Sequence, residues 1–228
     1  MHKSLFATSL LALALAAPLA QAHQAGDIIL RAGAVTVDPH ESSSDIWVGA
    51  LGTDVAGTKA TLDSDTQLGL NFAYMVTDHV GVELLAATPF SHDVGVKGMP
   101  GAFAGLNGKL GELKHLPPTL SVVYYPLDTA SAFQPYVGAG INYTWFFDTK
   151  LSSEAEDKGF SGLDLDDSWG LAAQVGMDYM LTDNVMVNAQ VRYIDIDTQG
   201  STSFGGREVE VDVDVDPFVY MIGLGYKF

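Results

Sequence analysis

The sequence predicts an all-β fold: an eight-stranded antiparallel transmembrane β-barrel with short turns at one end and longer loops at the other. Three observations predict it. Bulky apolar residues repeatedly alternate with Gly, Ala or polar residues, the period of a strand whose two faces differ. A turn recurs as Tyr74-Met75-Val76-Thr77-Asp78, Tyr124-Tyr125-Pro126-Leu127-Asp128 and Tyr179-Met180-Leu181-Thr182-Asp183, its leading tyrosines 50 and 55 residues apart. The chain also ends on its clearest alternating stretch, closed by Phe228.

Composition narrows the function classes. Of 228 residues, 47% are hydrophobic, too many for a disordered acidic chain. Eleven Lys+Arg stand against 28 Asp+Glu, for a net charge of −17, and no basic cluster is present to meet phosphates, so no nucleic-acid partner is expected. With no cysteine there is no disulfide scaffold, thiolate metal site or cysteine nucleophile. No apolar run reaches the roughly 18–20 residues of a membrane helix.

The elements follow in chain order. Lys3, the apolar run Leu5 to Ala17, Pro18 and Ala20-Gln21-Ala22 read as a secretory signal peptide over residues 1–22, cleaved after Ala22. The barrel then occupies residues 23–228, with 10 basic and 28 acidic residues and a net charge of −18. The first strand sets Ile28, Leu30 and Ala32 against Ile29, Arg31 and Gly33. The second sets Leu68, Leu70, Phe72 and Tyr74 against Gln67, Gly69, Asn71 and Ala73. The third sets Val80, Val82 and Leu84 against Gly81 and Glu83, and the fourth Leu120, Val122 and Tyr124 against Ser121 and Val123. The fifth sets Val137, Ile141 and Trp145 against Tyr136, Gly138 and Gly140. The sixth sets Trp169, Leu171, Val175 and Met177 against Gly170, Gln174 and Asp178. The seventh sets Val187, Val191 and Tyr193 against Asn188, Gln190 and Arg192. The last sets Phe218, Tyr220, Ile222, Leu224 and Tyr226 against Val219, Met221, Gly223 and Gly225.

A soluble barrel keeps its apolar face inside; here the large rings share one face and the glycines the other, which puts lipid outside. The three Tyr-led turns are the periplasmic ones, and the longer connections near 37–64, 89–117, 146–166 and 198–208 are extracellular. The terminal Phe228 resembles the signal read by the bacterial barrel-assembly machinery, an expected partner. Outer-membrane lipid and lipopolysaccharide are the expected surroundings.

The mature chain resembles the outer-membrane protein W (OmpW) family. The resemblance rests on Ala25-Gly26-Asp27 with Arg31, on Asp65-Thr66-Gln67-Leu68-Gly69-Leu70, and on Val82 through Phe90. It continues in Leu116-Pro117-Pro118-Thr119-Leu120, Gln134-Pro135-Tyr136-Val137-Gly138 and Asp214-Val215-Asp216-Pro217 through Phe228. It spans nearly all of the mature chain and is weakest in the loops. What it implies is a barrel that passes small hydrophobic solutes through an apolar interior and releases them sideways into the membrane.

Three features bear on transport. Carrying the parity of the last, seventh and first strands upward points Val209, Val211, Val213, Val215, Ile194, Ile196, Val35 and Val37 inward, and Glu208, Glu210, Asp212, Asp214, Asp195 and Asp197 outward. That is an apolar extracellular lining, or equally a packed core. A bulge at Pro217 would reverse it. On the second strand the same logic turns Asp63 and Asp65 inward, making the lining one-sided. Next, neither Pro117 nor Pro118 can donate to the ladder, so Leu116-Pro117-Pro118 reads as a candidate lateral window or as an ordinary loop boundary; the resemblance favours the window. Finally, Asp38, Glu41, Asp45, Asp54, Glu154, Glu156, Asp157, Asp164, Asp166 and Asp167 make an acidic rim: plain solvation, or weak Ca²⁺ or Mg²⁺ bridging.

The inward glycines leave room for a cavity, whereas Arg31, Glu83, Gln174, Asp178 and Arg192 are able to fill it as a buried polar network. The competing function is therefore a structural or surface-receptor barrel with a plugged lumen. Neither an enzyme nor a cofactor or metal site is expected. Ser91-His92-Asp93 has the residue types of a hydrolytic triad, but neighbouring strand residues point to opposite faces.

Overall fold

The computed structural model describes residues 22–49 and 51–228. Residues 1–21, which carry nearly all of the expected signal peptide, lie outside the described residues. The strands are β1 (Ile28–Asp38), β2 (Ser42–Ser43), β3 (Ile46–Val48), β4 (Thr53–Val55), β5 (Lys59–Leu62), β6 (Asp65–Met75), β7 (Val80–Ala87), β8 (Phe90–Lys97), β9 (Gly108–Leu116), β10 (Thr119–Tyr124), β11 (Phe133–Leu151), β12 (Phe160–Leu165), β13 (Ser168–Met180), β14 (Val185–Ile194), β15 (Asp197–Phe204), β16 (Arg207–Asp214) and β17 (Phe218–Lys227). A 3-10 turn (Gly101–Leu106) and a one-turn helix α1 (Ser153–Asp157) sit in the loops. No helix of the described residues is long and apolar enough to cross a membrane.

Eight strands form the wall in the order β10-β7-β6-β1-β17-β14-β13-β11, and β10 pairs with β11 to close it, every pairing antiparallel. Closure removes the unpaired edges that lipid cannot solvate. The outward residues form an exposed apolar belt that includes Leu68, Val122, Leu171 and Ile222. From Trp169 to Tyr179 the tilted strand climbs about 25 Å, the height of a barrel's apolar band. Trp145 and Trp169 mark its upper edge, and Tyr74, Tyr124, Tyr226 and Phe228 its lower one.

Above the belt the extracellular connections are themselves strands. β5, β8 and β9 join β11 in one sheet; β12, β15, β16, β3 and β4 form another. The pairing satisfies the backbone groups that these connections bury around the lumen, out of reach of water.

The inward glycines do not leave a cavity. Gly33 sits level with Gly69 on one side and Gly223 on the other. A Cβ on Gly33 would collide with the Ile222 carbonyl, and one on Gly69 with the Val35 side chain. Gly176 is covered by the Tyr136 ring and Gly225 by Met186. The glycines let large neighbours cross a narrow lumen, so their space is already occupied. Gly33→Ala is expected to cost about 1–3 kcal/mol by overpacking against rigid backbone. Lower folded yield on a heat-modifiability gel would show it.

Candidate functional site: an apolar slot above a sealed polar floor

The lower lumen is filled by charge. Asp178 accepts from Arg31 Nε at 3.0 Å and Nη2 at 2.5 Å, from His23 Nε2 at 2.8 Å and from Asn188 Nδ2 at 2.8 Å. Arg31 reaches on to Asn71 Oδ1 at 3.0 Å, Tyr125 OH at 2.8 Å and Glu83 Oε2 at 3.2 Å. Glu83 Oε1 then accepts from Arg192 Nη2 at 2.7 Å and Gln174 Nε2 at 2.9 Å, and Arg192 also bonds Gln174. The structure therefore brings Arg31, Glu83, Gln174, Asp178 and Arg192 into one chain, all almost fully buried. Two guanidinium and two carboxylate groups balance, which is what makes their burial tolerable. His23, Asn71, Tyr125, Tyr136 and Asn188 belong to this floor too. Parity alone turned Asn71, Tyr136 and Asn188 inward, but neither a partner nor a role follows from it.

Above the floor the lumen turns apolar. Val35, Val37, Ile194, Ile196, Val209, Val213 and Val215 are buried, and Val211 is half-buried. Odd positions stay inward from Val209 to Met221, although the chain breaks between β16 and β17 and Asp216 takes a φ of 40°. Pro217 interrupts the ladder without changing the parity.

The four valines of β16 and its exit face Ala60, Leu62, Val94, Leu163 and Leu165 across an apolar cavity of about 60 Å³. A second cavity of about 70 Å³, among Val48, Leu51, Val55, Phe103, Leu106 and Phe204, meets the first at Met99, Phe160 and Val209. The expectation that Asp63 points inward fails. The chain leaves strand geometry at residues 63–64, between β5 and β6, so the parity resets. Asp63 is exposed and accepts from the Asp93 backbone, while Ala60 and Leu62 face the cavity. Asp65, half-buried, is occupied by Ser91 N, Gln67 and Thr66 N. Asp65 does keep the inward parity, opposite Val37, so the wall is polar at the top of β6 while β5 presents Ala60 and Leu62 to the cavity.

Floor and slot meet at a break in the wall. β10 pairs with β7 only as far up as Thr119 opposite Leu85, and β9 resumes with β8 at His115 opposite Phe90. Between them Ala86, Ala87, Thr88 and Pro89 face Leu116, Pro117 and Pro118 with no ladder pairs. Three of those seven residues are prolines without a donor. On its other side the wall holds: the Pro118 carbonyl accepts from Tyr143 N at 3.2 Å, and Leu116 lies opposite Trp145, at the upper edge of the belt.

His92 and His115 lie just inside the upper end of this break, on strands that rise above the belt. Their Nε2 atoms are 2.9 Å apart, and His92 Nδ1 donates to the Asp63 carbonyl at 2.6 Å. Phe90, His115 and Phe146 form one cross-strand row, the imidazole 5.4 Å from one phenyl centre and 5.6 Å from the other. Sequence reading found His92 but not its partner 23 residues on. The available signal was His115 directly before Leu116-Pro117-Pro118, at the inward parity of Leu113.

Burial first, and His92 second, push the His115 imidazole down to about 3, with Asp65 opposing. An unfolded histidine titrates near ~6.5. His115 therefore costs nothing above that pH; as the pH falls from about 6.5 towards 3, the unfolded chain takes up a proton that the fold refuses, and stability declines. The urea midpoint is expected to be lower at pH 4.5 than at pH 7.5, and His115→Phe to shrink the difference.

On the outer face, carboxylates of Asp195, Asp197 and Asp216 lie within 4.8 Å of one another. Burial and the neighbouring Asp195, Asp214 and Asp216 push Asp197 up. Asp167 is more than a solvated rim residue, because it accepts from Tyr143 OH at 2.6 Å and Phe146 N at 3.0 Å and ties β11 to the turn before β13.

Comparison with known proteins places this geometry. The sequence model of the OmpW family matches residues 24–228. Outer membrane protein W of Vibrio cholerae is 48% identical over 207 residues, 91% of each chain. The crystal structure of the outer membrane protein OprG from Pseudomonas aeruginosa is 56% identical, with a TM-score of 0.86, over 91% of this chain and 98% of that one. A Pseudomonas aeruginosa relative named dibenzothiophene metabolism operon protein PahQ is 28% identical over 178 residues, 78% of each chain.

Proposed function

From the premise that this chain belongs to the OmpW family and is a bacterial outer-membrane β-barrel, we propose that it is a passive route for small hydrophobic molecules, which leave it sideways into the membrane. One observation carries the proposal: an apolar slot stands on a sealed, charged floor, and on one side, between Ala86–Pro89 and Leu116–Pro118, the wall at their junction lacks ladder pairs. An apolar solute that reaches the floor must break paired charges to continue down the axis, at several kcal/mol. Leaving through the break needs no such step. In this reading Val35, Val37, Ile194, Ile196, Val209, Val211, Val213 and Val215 form the route, and Leu116, Pro117 and Pro118 edge the exit. At about 60 Å³ the resting slot is narrower than a solute, so it opens by side-chain displacement. Met99, flexible and shared by both cavities, suits that task. The relative named for a dibenzothiophene metabolism operon supports an apolar cargo.

Phe228, 67% exposed at the chain's end, then serves as the assembly signal, and the acidic rim faces lipopolysaccharide. The sealed floor also favours a second reading, a surface-receptor barrel with no cargo. Pro117→Ala with Pro118→Ala separates the two, because it restores two backbone donors to the broken ladder. Transport through the break predicts a several-fold drop in hydrocarbon uptake with the barrel still folded. Wild-type uptake by the folded double variant would contradict the exit, and a receptor would keep its surface binding.

A further inference from the structure

Hydrogen-bond logic at the His92–His115 pair leaves one atom unused. A carbonyl only accepts, so the bond to Asp63 O puts the proton of His92 on Nδ1. In the neutral ring His92 Nε2 is then an acceptor, and His115 Nε2–H donates to it. That leaves His115 Nδ1 as a bare lone pair, and it is buried with no partner. Both rings are nearly inaccessible, at 2% and 4% exposure. Phe90, Phe146 and Leu113 surround them within the cluster that also holds cavity-lining Val94 and Leu165. The nearby carboxylates offer no proton, since those of Asp63 and Asp65 already accept from backbone amides. A buried acceptor without a donor is costly and rarely retained. Here it stands next to Leu116 at the exit, beside the apolar cluster whose Val94 and Leu165 line the slot.

We propose that His115 Nδ1 is a docking point for the hydroxyl of a small uncharged amphiphile, an alcohol or phenol whose apolar body fills the slot. The hydroxyl donates to the lone pair, and the chain or ring packs among the valines and phenylalanines. Anionic headgroups are excluded, because the charge that faces the pair is the Asp65 carboxylate and a second anion there would be buried without compensation. The inference rests on the uptake reading and narrows its cargo from hydrocarbons in general to singly hydroxylated ones.

The test uses the full barrel in lipid nanodiscs with ¹⁵N-labelled histidine, and two probes of equal length, 1-octanol and heptyl methyl ether. Without probe, His115 Nδ1 should resonate as an unprotonated ring nitrogen. Octanol should move that resonance upfield, as hydrogen-bond acceptance does, and the ether should not. In uptake, octanol should be preferred over the ether by about five- to tenfold, the worth of one hydrogen bond. His115→Phe should bring the ratio near one. A protonated Nδ1, no octanol-specific shift, or an unchanged ratio in His115→Phe would overturn the proposal. If His115→Phe does not fold, the wild-type spectra decide alone. Loss of all hydrocarbon uptake would sink the transport reading instead, and the spectra would still judge the docking point.

Discussion

Asp178→Ala is expected to lower the unfolding free energy by about 3–5 kcal/mol, the cost of leaving a buried charge without its partner. Asp178 is the closest anion to Arg31, which is fully buried within the membrane-spanning half. The same carboxylate holds His23 and Asn188, so its loss strands three groups at once. Glu83 retains Arg31 at 3.2 Å, which keeps the penalty from growing further. Asp178→Asn should fall between, because it keeps an acceptor but removes the charge. Urea unfolding in micelles, followed by the fluorescence of Trp145 and Trp169, reads the shift. A loss below about 1 kcal/mol would mean the floor is wet and its charges are solvated.

The second large effect is on transport. Val213→Asp is expected to cut hydrocarbon uptake by about tenfold or more, while Val213→Ala stays near wild type. Val213 is 4% exposed and faces Leu62, Val94 and Leu165 across the slot. A carboxylate there brings its water with it or pays for losing it, and either way an apolar solute meets a polar barrier of several kcal/mol. Each 1.4 kcal/mol of barrier is a factor of ten. Alanine removes bulk without adding charge. Equal uptake by the aspartate variant would mean that apolar solutes bypass the β16 wall.

Much of this was legible in the residues. Period two is a local signal, so all eight wall strands and their inward sets could be read without any pairing, and so could the parity from Val209 to Met221. Arg31, Glu83, Asp178 and Arg192 stood out because charge on an inward face in a membrane needs a partner, and Gln174 because a buried amide needs one too. Asp63 was misread because parity holds only while the chain stays a strand, and two residues at 63–64 reset it. The glycines were misread as empty space because what lies opposite Gly176 is Tyr136, set by register and not by spacing. His115 escaped for the same reason: it meets His92 only once β8 and β9 pair.

In the proposed function an apolar route ends sideways above a closed floor. Its most direct test is whole-cell uptake of a radiolabelled medium-chain hydrocarbon against a polar sugar of similar size, with a matched inactive barrel as control. Faster hydrocarbon entry with unchanged sugar entry is the expected result. Faster sugar entry with no gain for the hydrocarbon would show a wet axial lumen and contradict both the slot and the floor.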